Sequence, residues 1–166
     1  ALRAYAGSSV DGLLEIAGAC GVERVVLPLG GRVDQLSKVP KRVELSFYNA
    51  HVSTSDTHGL VQDLLKSGID AHLTYNPANF ARLGEGPFHQ LHRARLKAMT
   101  DQLDVADVTY DGQPTELGRG NAEVKELISI LRCSGFDGFM VLGAENRLNG
   151  GLRECVDRFL HLLNNV

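Results

Sequence analysis

Asn76 closes the stretch LTYNPANF (Leu73 to Phe80), in which a buried strand stops on a polar side chain and breaks at a proline. Strand ends of βα folds concentrate binding groups, and a carboxamide there both donates and accepts hydrogen bonds. It is a poor ligand for a hard cation, which prefers carboxylates. The other reactive residue types form no constellation. His51, His58, His72, His89, His92 and His161 show neither HxH nor HExxH spacing; His89 and His92 share a helical face at i, i+3 and read as solvated surface. Cys20, Cys133 and Cys155 lie in apolar helical patterns without a CxxC, so each is expected as a buried, reduced thiol, which suits a cytoplasmic setting. No GxGxxG or GxxxxGK[ST] follows any strand, and LGRG (Leu117–Gly120) reads as a flexible loop before a helix.

The elements that must position Asn76 alternate helix and strand. VDGLLEIAGACG (Val10–Gly21) carries apolar residues at helical spacing and stops on glycine, and ERVVLPLGG (Glu23–Gly31) follows as a short buried strand. RVELSFYN (Arg42–Asn49) is the second strand. A helix over Ser53–Gly68 has Ser55 or Asp56 as N-cap candidates, and IDAHLTYNP (Ile69–Pro77) is the third strand. Helical spacing then runs through Gly86–Asp104, with VADVTYD (Val105–Asp111) as strand four. An amphipathic helix over Asn121–Gly135, strand five at FDGFMVLGAE (Phe136–Glu145) and a closing helix complete the order. Five strands separated by helices predict an α/β fold of parallel βα repeats, in one domain over residues 1–166. Stretches such as RVVLPL and GFMVL are apolar on both faces, as expected of a sheet covered on each side.

Composition narrows the class of function. With 43% apolar and 22% charged residues the chain is globular, and its formal charge of −3 gives no basic footprint for nucleic acid. KVPKR (Lys38–Arg42), the most basic patch, reads as a solvated loop. No apolar stretch approaches the roughly 20 residues that span a bilayer, and no cleavable signal pattern opens the chain.

Three segments resemble the xylose-isomerase-like barrel family of sugar-phosphate isomerases and epimerases. LTYNPANFARLGEGP is similar to that family's strand ending in Asp-Pro-Gly. LGRGNAEVKELISILRCSGFDGFMVLGAE is similar to its Leu-Gly-x-Gly turn, helix and strand ending in Glu-x-Glu. VELSFYNAHVSTSDTH fits its strand ending in Glu-Asn-His. The resemblance implies a (β/α)8 TIM barrel, of which about the last five βα units are present, with roughly a hundred residues of the full barrel outside the match.

The family binds Mn, Mg or Zn at the C-terminal mouth, and two glutamates also move protons. Carried over by resemblance, its first Glu falls on Tyr48, its Asp on Asn76, its His on Val108 and its last Glu on Gly143. Its Lys falls on Tyr110, while Asp111 keeps an acid and Glu145 matches the second acid of Glu-x-Glu. A phenol, a carboxamide, an isopropyl group and a hydrogen thus replace two glutamates, an aspartate and a histidine. The expectation is no metal and no other cofactor.

The leading reading is a degenerate isomerase/epimerase-like barrel, a non-catalytic module that binds a carbohydrate or sugar phosphate or serves structurally. Tyr48, Asn49, Asn76 and Asn79 would contact the sugar. The alternative is an active isomerase or epimerase, working without the usual metal or within a longer chain, in which Glu145, Asp111 and Tyr110 move protons. Epimerisation needs an acid and a base flanking one carbon, and a Tyr–carboxylate pair can supply both. A metal nuclease on the same fold lacks both its ligand cluster and a basic groove. A partial barrel leaves sheet edges unpaired, so a homo-oligomer, or completion by the remainder of a longer chain, is expected.

Overall fold

The computed structural model describes residues 1–3, 9–30, 36, 39, 42–93, 95–143 and 151–166. Six strands form one sheet in sequential order: β1 (Leu2–Arg3), β2 (Arg24–Pro28), β3 (Glu44–Tyr48), β4 (Ala71–Tyr75), β5 (Thr100–Val105) and β6 (Phe139–Leu142). Every pairing is parallel. The helices are α1 (Val10–Cys20), α2 (Thr54–Lys66), α3 (Pro77–Arg82), α4 (Pro87–Arg93), α5 (Val124–Cys133) and α6 (Gly151–Asn165). The structure thus adds one strand to the five expected, β1, whose two residues are too few to carry a periodic signal.

The sheet curls, as one ion pair demonstrates. Arg3 on β1 reaches Asp104 on β5 at 2.6 Å. Four strand spacings along a flat sheet would separate those strands by roughly 19 Å, far beyond one side chain. The six strands therefore form an open half-barrel, and the expected partial (β/α)8 architecture is present. Its convex face is the apolar one. Val25, Leu27, Leu45, Phe47, Leu73, Tyr75, Leu103 and Val105 are buried there together with helix residues such as Leu14, Val61, Phe80, Leu127 and Leu131.

The concave face corrects the expectation of strands apolar on both sides. Arg24 donates to Asp101 (2.5 Å) and Glu44 (2.9 Å), and Ser46 bonds both Thr74 (2.7 Å) and Asp101 (3.1 Å). A buried polar group is stable only when partnered, and these residues partner one another across the strands.

The expected helix over Gly86–Asp104 and strand over Val105–Asp111 are also corrected. The helix ends at Arg93, Arg95 adopts a left-handed φ of 58°, a 3₁₀ turn covers Leu96–Met99, and β5 begins at Thr100. Gln102 and Asp104 face the polar concavity, so "TDQLDV" lacks the apolar run that marks a strand buried on both faces. Two smaller readings change as well. The N-cap of α2 is Ser53, whose Oγ accepts from the Asp56 amide at 3.2 Å, not Ser55 or Asp56. Cys20 and Cys133 are exposed, and only Cys155 is buried; none of the three is in a disulfide. No helix among the described residues is long and apolar enough to cross a membrane.

Candidate functional site

The strand ends gather a connected cluster. Asn49, just past β3, is fully buried and clamps the end of β4: its Nδ2 donates to the Asn76 carbonyl (3.0 Å) and its Oδ1 accepts from the Asn76 amide (2.8 Å). Asn76 is the N-cap of α3, its Oδ1 accepting from the Asn79 amide at 3.1 Å, with Pro77 opening the helix where its missing N–H costs nothing. Asn79 returns the contact, donating to the Asn49 carbonyl at 2.8 Å and accepting from Arg82 at 3.0 Å. Three of the four expected sugar contacts, Asn49, Asn76 and Asn79, are thus brought together and bonded into the backbone.

The fourth, Tyr48, lies under a cation. The Arg3 guanidinium sits 4.4 Å from the Tyr48 ring centroid while its Nη1 pairs with Asp104. Asp104 is 3% exposed, and its carboxylate also accepts from Gln102 (2.9 Å) and from Asn76 Nδ2 (3.3 Å). This explains why position 76 is not an aspartate. A carboxylate there would face the buried carboxylate of Asp104 in place of a donor.

Correction of the β5 bounds moves the expected strand: it ends at Val105, with Asp104 as its last residue on the concave side, and Val108, Tyr110 and Asp111, onto which the resemblance placed the site, lie beyond it. Val108 bridges Pro114 in an antiparallel turn. Tyr110 is 68% exposed and its amide donates to Asn121 Oδ1 (3.0 Å), whereas Asp111 accepts from the Thr109 hydroxyl. Neither of these hydrogen bonds reaches the strand-end cluster. Glu145 lies outside the described residues, and Gly143, directly after β6, donates its amide to the Val105 carbonyl (3.2 Å).

A second carboxylate organises the loop beside the cluster. Asp107 is fully buried; its Oδ1 accepts from the amides of Val108 (3.0 Å) and Ala122 (3.1 Å), its Oδ2 from Gly118 (2.8 Å) and Gly120 (3.0 Å). The LGRG segment is therefore a turn pinned by a carboxylate, not the flexible loop its glycines suggest. Gly118 takes a φ of 77°, and a Cβ on Gly120 would fall 2.2 Å from Asp107 Oδ1 and 2.5 Å from the Val108 carbonyl oxygen.

Arg3, Gln102, Asp104 and Asp107 were missed in the sequence. Period-two alternation of Gln102 and Asp104 with Leu103 and Val105 was the available signal for two of them.

Solved structures resemble the fold of this chain. A xylose isomerase domain protein from Planctomyces limnophilus matches at a TM-score of 0.65 and 15% identity, over 92% of this chain and 61% of that one. The probable 3-DHS dehydratase AsbF, involved in petrobactin synthesis in Bacillus anthracis, matches at 0.63 and 10% identity, over 92% and 66%. An uncharacterised protein from Parabacteroides distasonis matches at 0.59 and 17% identity, over 99% and 67%. The fold is xylose-isomerase-like. No family model matches the sequence, and no curated protein does. The chain spans about two thirds, or somewhat less, of the length of these solved xylose-isomerase-like structures.

The described residues at this xylose-isomerase-like mouth offer a divalent cation few donors. Tyr48, Asn76 and Gly143 supply no anionic donor, and the carboxylate of Asp104 is engaged by a guanidinium. Among the described residues no group of three or more His, Cys, Asp and Glu side chains could hold a metal ion.

Proposed function

We propose that this chain is a metal-independent, non-catalytic module of the xylose-isomerase-like fold whose strand-end mouth binds a carbohydrate. The observation that carries the reading is the Arg3–Asp104 pair lying over Tyr48. A fixed guanidinium supplies the positive charge that a cation supplies in the family the sequence resembles. Unlike a metal ion it cannot acidify water or polarise a substrate oxygen as a Lewis acid. It can donate several hydrogen bonds in a planar fork, suited to a vicinal diol or a phosphate.

The asparagine clamp supports binding over proton transfer. Asn49, Asn76 and Asn79 hold the strand ends at fixed spacing and have no ionisable group to exchange protons with substrate. Arg3 keeps 30% of its side chain open to solvent and pairs with Asp104 through Nη1, which supports a role for the rest of its fork in meeting a ligand hydroxyl or phosphate oxygen.

Calorimetric titration with a panel of neutral sugars and sugar phosphates tests the reading. The expected result is heat from at least one ligand, reduced at least tenfold in affinity by Arg3→Lys, which keeps the charge and loses the fork. Heat from none of them, or isomerase activity in the wild-type chain, contradicts it.

A further inference from the structure

Arg3 reaches the mouth with a carboxylate already on it. Its Nη1 lies 2.6 Å from Asp104 Oδ2, and of the two side chains it is the carboxylate that is almost fully buried. Asp104 is held from two further directions, by Gln102 Nε2 on Oδ1 (2.9 Å) and by Asn76 Nδ2 on Oδ2 (3.3 Å). Swinging it away from Arg3 would strand those buried donors. Arg3 is fixed as well, its guanidinium lying 4.4 Å from the Tyr48 ring centroid.

A second carboxylate, Asp107, is fully buried two residues past β5, and its printed partners are backbone amides, which carry no formal charge. Arg82, on α3, is an exposed residue that donates to Asn79 Oδ1 at 3.0 Å. The end of β5 thus sets two buried carboxylates against the one guanidinium of Arg3.

Resting on the carbohydrate-binding reading of this mouth, we propose that Asp104 sets its charge selectivity. It lets Arg3 serve uncharged polyols and turns phosphate esters and other anions away. A hydroxyl needs only a donor, which the rest of the Arg3 fork supplies. A phosphate oxygen on that fork would stand roughly 6 Å from the Asp104 carboxylate, from hydrogen-bond lengths and the width of a guanidinium. That is inside the ~8 Å over which physiological salt screens charge. Repulsion from the carboxylate there offsets much of the attraction of the guanidinium, and the phosphate still gives up its water. Asp104 therefore keeps Arg3 a hydrogen-bond donor without making the mouth an anion site.

Inorganic phosphate is the probe, and the shift it causes in thermal unfolding is the readout, so that a destabilised variant is still measured. Wild type, Asp104→Asn and the double variant Arg3→Gln/Asp104→Asn are compared in phosphate and in chloride at equal ionic strength. An anion bound only by the folded chain raises Tm, whereas a general salt effect appears in all three. The expected result is no phosphate-specific rise in the wild type. Asp104→Asn should show a rise that reports phosphate binding about tenfold or more tighter, and the double variant should lose it. A rise in the wild type that Arg3→Gln abolishes overturns the proposal, as does an Asp104→Asn chain no more responsive than the wild type.

Calorimetry of the wild type with neutral sugars and their phosphate esters needs no variant and separates this proposal from the reading it rests on. A sugar phosphate bound at least as tightly as its parent sugar refutes the role of Asp104 and leaves carbohydrate binding standing. No heat from any sugar, with phosphate still gained by Asp104→Asn, refutes carbohydrate binding and leaves the role of Asp104 standing.

Discussion

Replacing Asp107 with asparagine should destabilise the chain far more than an isosteric change on a surface loop. The carboxylate divides four backbone amides between two oxygens, Val108 and Ala122 on Oδ1, Gly118 and Gly120 on Oδ2. Asparagine keeps one acceptor oxygen, so whichever way its amide turns, an NH₂ group confronts two N–H donors. Stranding a buried donor costs about 1–3 kcal/mol, and partial relaxation of the turn makes ~2–4 kcal/mol the expected total for the pair. For a chain of this length that corresponds to a fall in Tm of roughly 5–15 °C. Urea and thermal unfolding measure the loss, and hydrogen exchange locates it, with the amides of one oxygen's pair, either Val108 and Ala122 or Gly118 and Gly120, losing protection first. A loss below about 1 kcal/mol would mean that solvent satisfies these amides, and the carboxylate-pinned turn would be refuted.

Further outcomes follow from the same geometry. Gly120→Ala should destabilise by several kcal/mol, because its Cβ meets the Asp107 carboxylate and a backbone oxygen. Gly18→Ala, on α1 with nothing within 4 Å, should stabilise by about 0.5–1 kcal/mol; urea midpoints compare the two. Asn76→Asp should cost about 1–3 kcal/mol at neutral pH by setting a carboxylate against Asp104, and the deficit should shrink as acid protonates the pair; equal deficits at pH 4 and pH 7 would argue against the contact. Burial, then the nearby charges of Glu123 and Glu85, hold the Tyr75 phenol well above its ordinary value, and it donates to the Pro87 carbonyl at 2.6 Å. The folded state therefore keeps the proton longer than the unfolded state. Stability from this group is intact below about pH 10 and is lost as pH rises beyond it. Tyr75→Phe should flatten that alkaline slope in unfolding experiments.

How much of this was readable in the sequence depends on where the polar residues fell. The convex face was legible, because Val25, Leu27, Phe47 and Leu73 stand in short apolar runs between glycines and helical segments. Asn76 was legible for another reason: a polar residue before a proline marks a strand end whatever its neighbours do. The concave face was not. Its polar residues interrupt β5, so the alternation of Gln102 and Asp104 with Leu103 and Val105 was absorbed into the preceding helical spacing. With β5 displaced, the candidate chemistry shifted along the chain to Tyr110 and Asp111, which occupy the turn after it. Arg3 lay beyond any local rule. Its importance comes from a contact across four strand positions, and only the curl of the sheet creates it.

The central claim is that a guanidinium, not a metal ion, supplies the positive charge at the mouth. Elemental analysis of the purified chain, after equilibration with trace Mn and Zn and dialysis, tests it most directly. The account predicts no stoichiometric metal in the wild type. One equivalent retained per chain and lost on Asp104→Asn would contradict it.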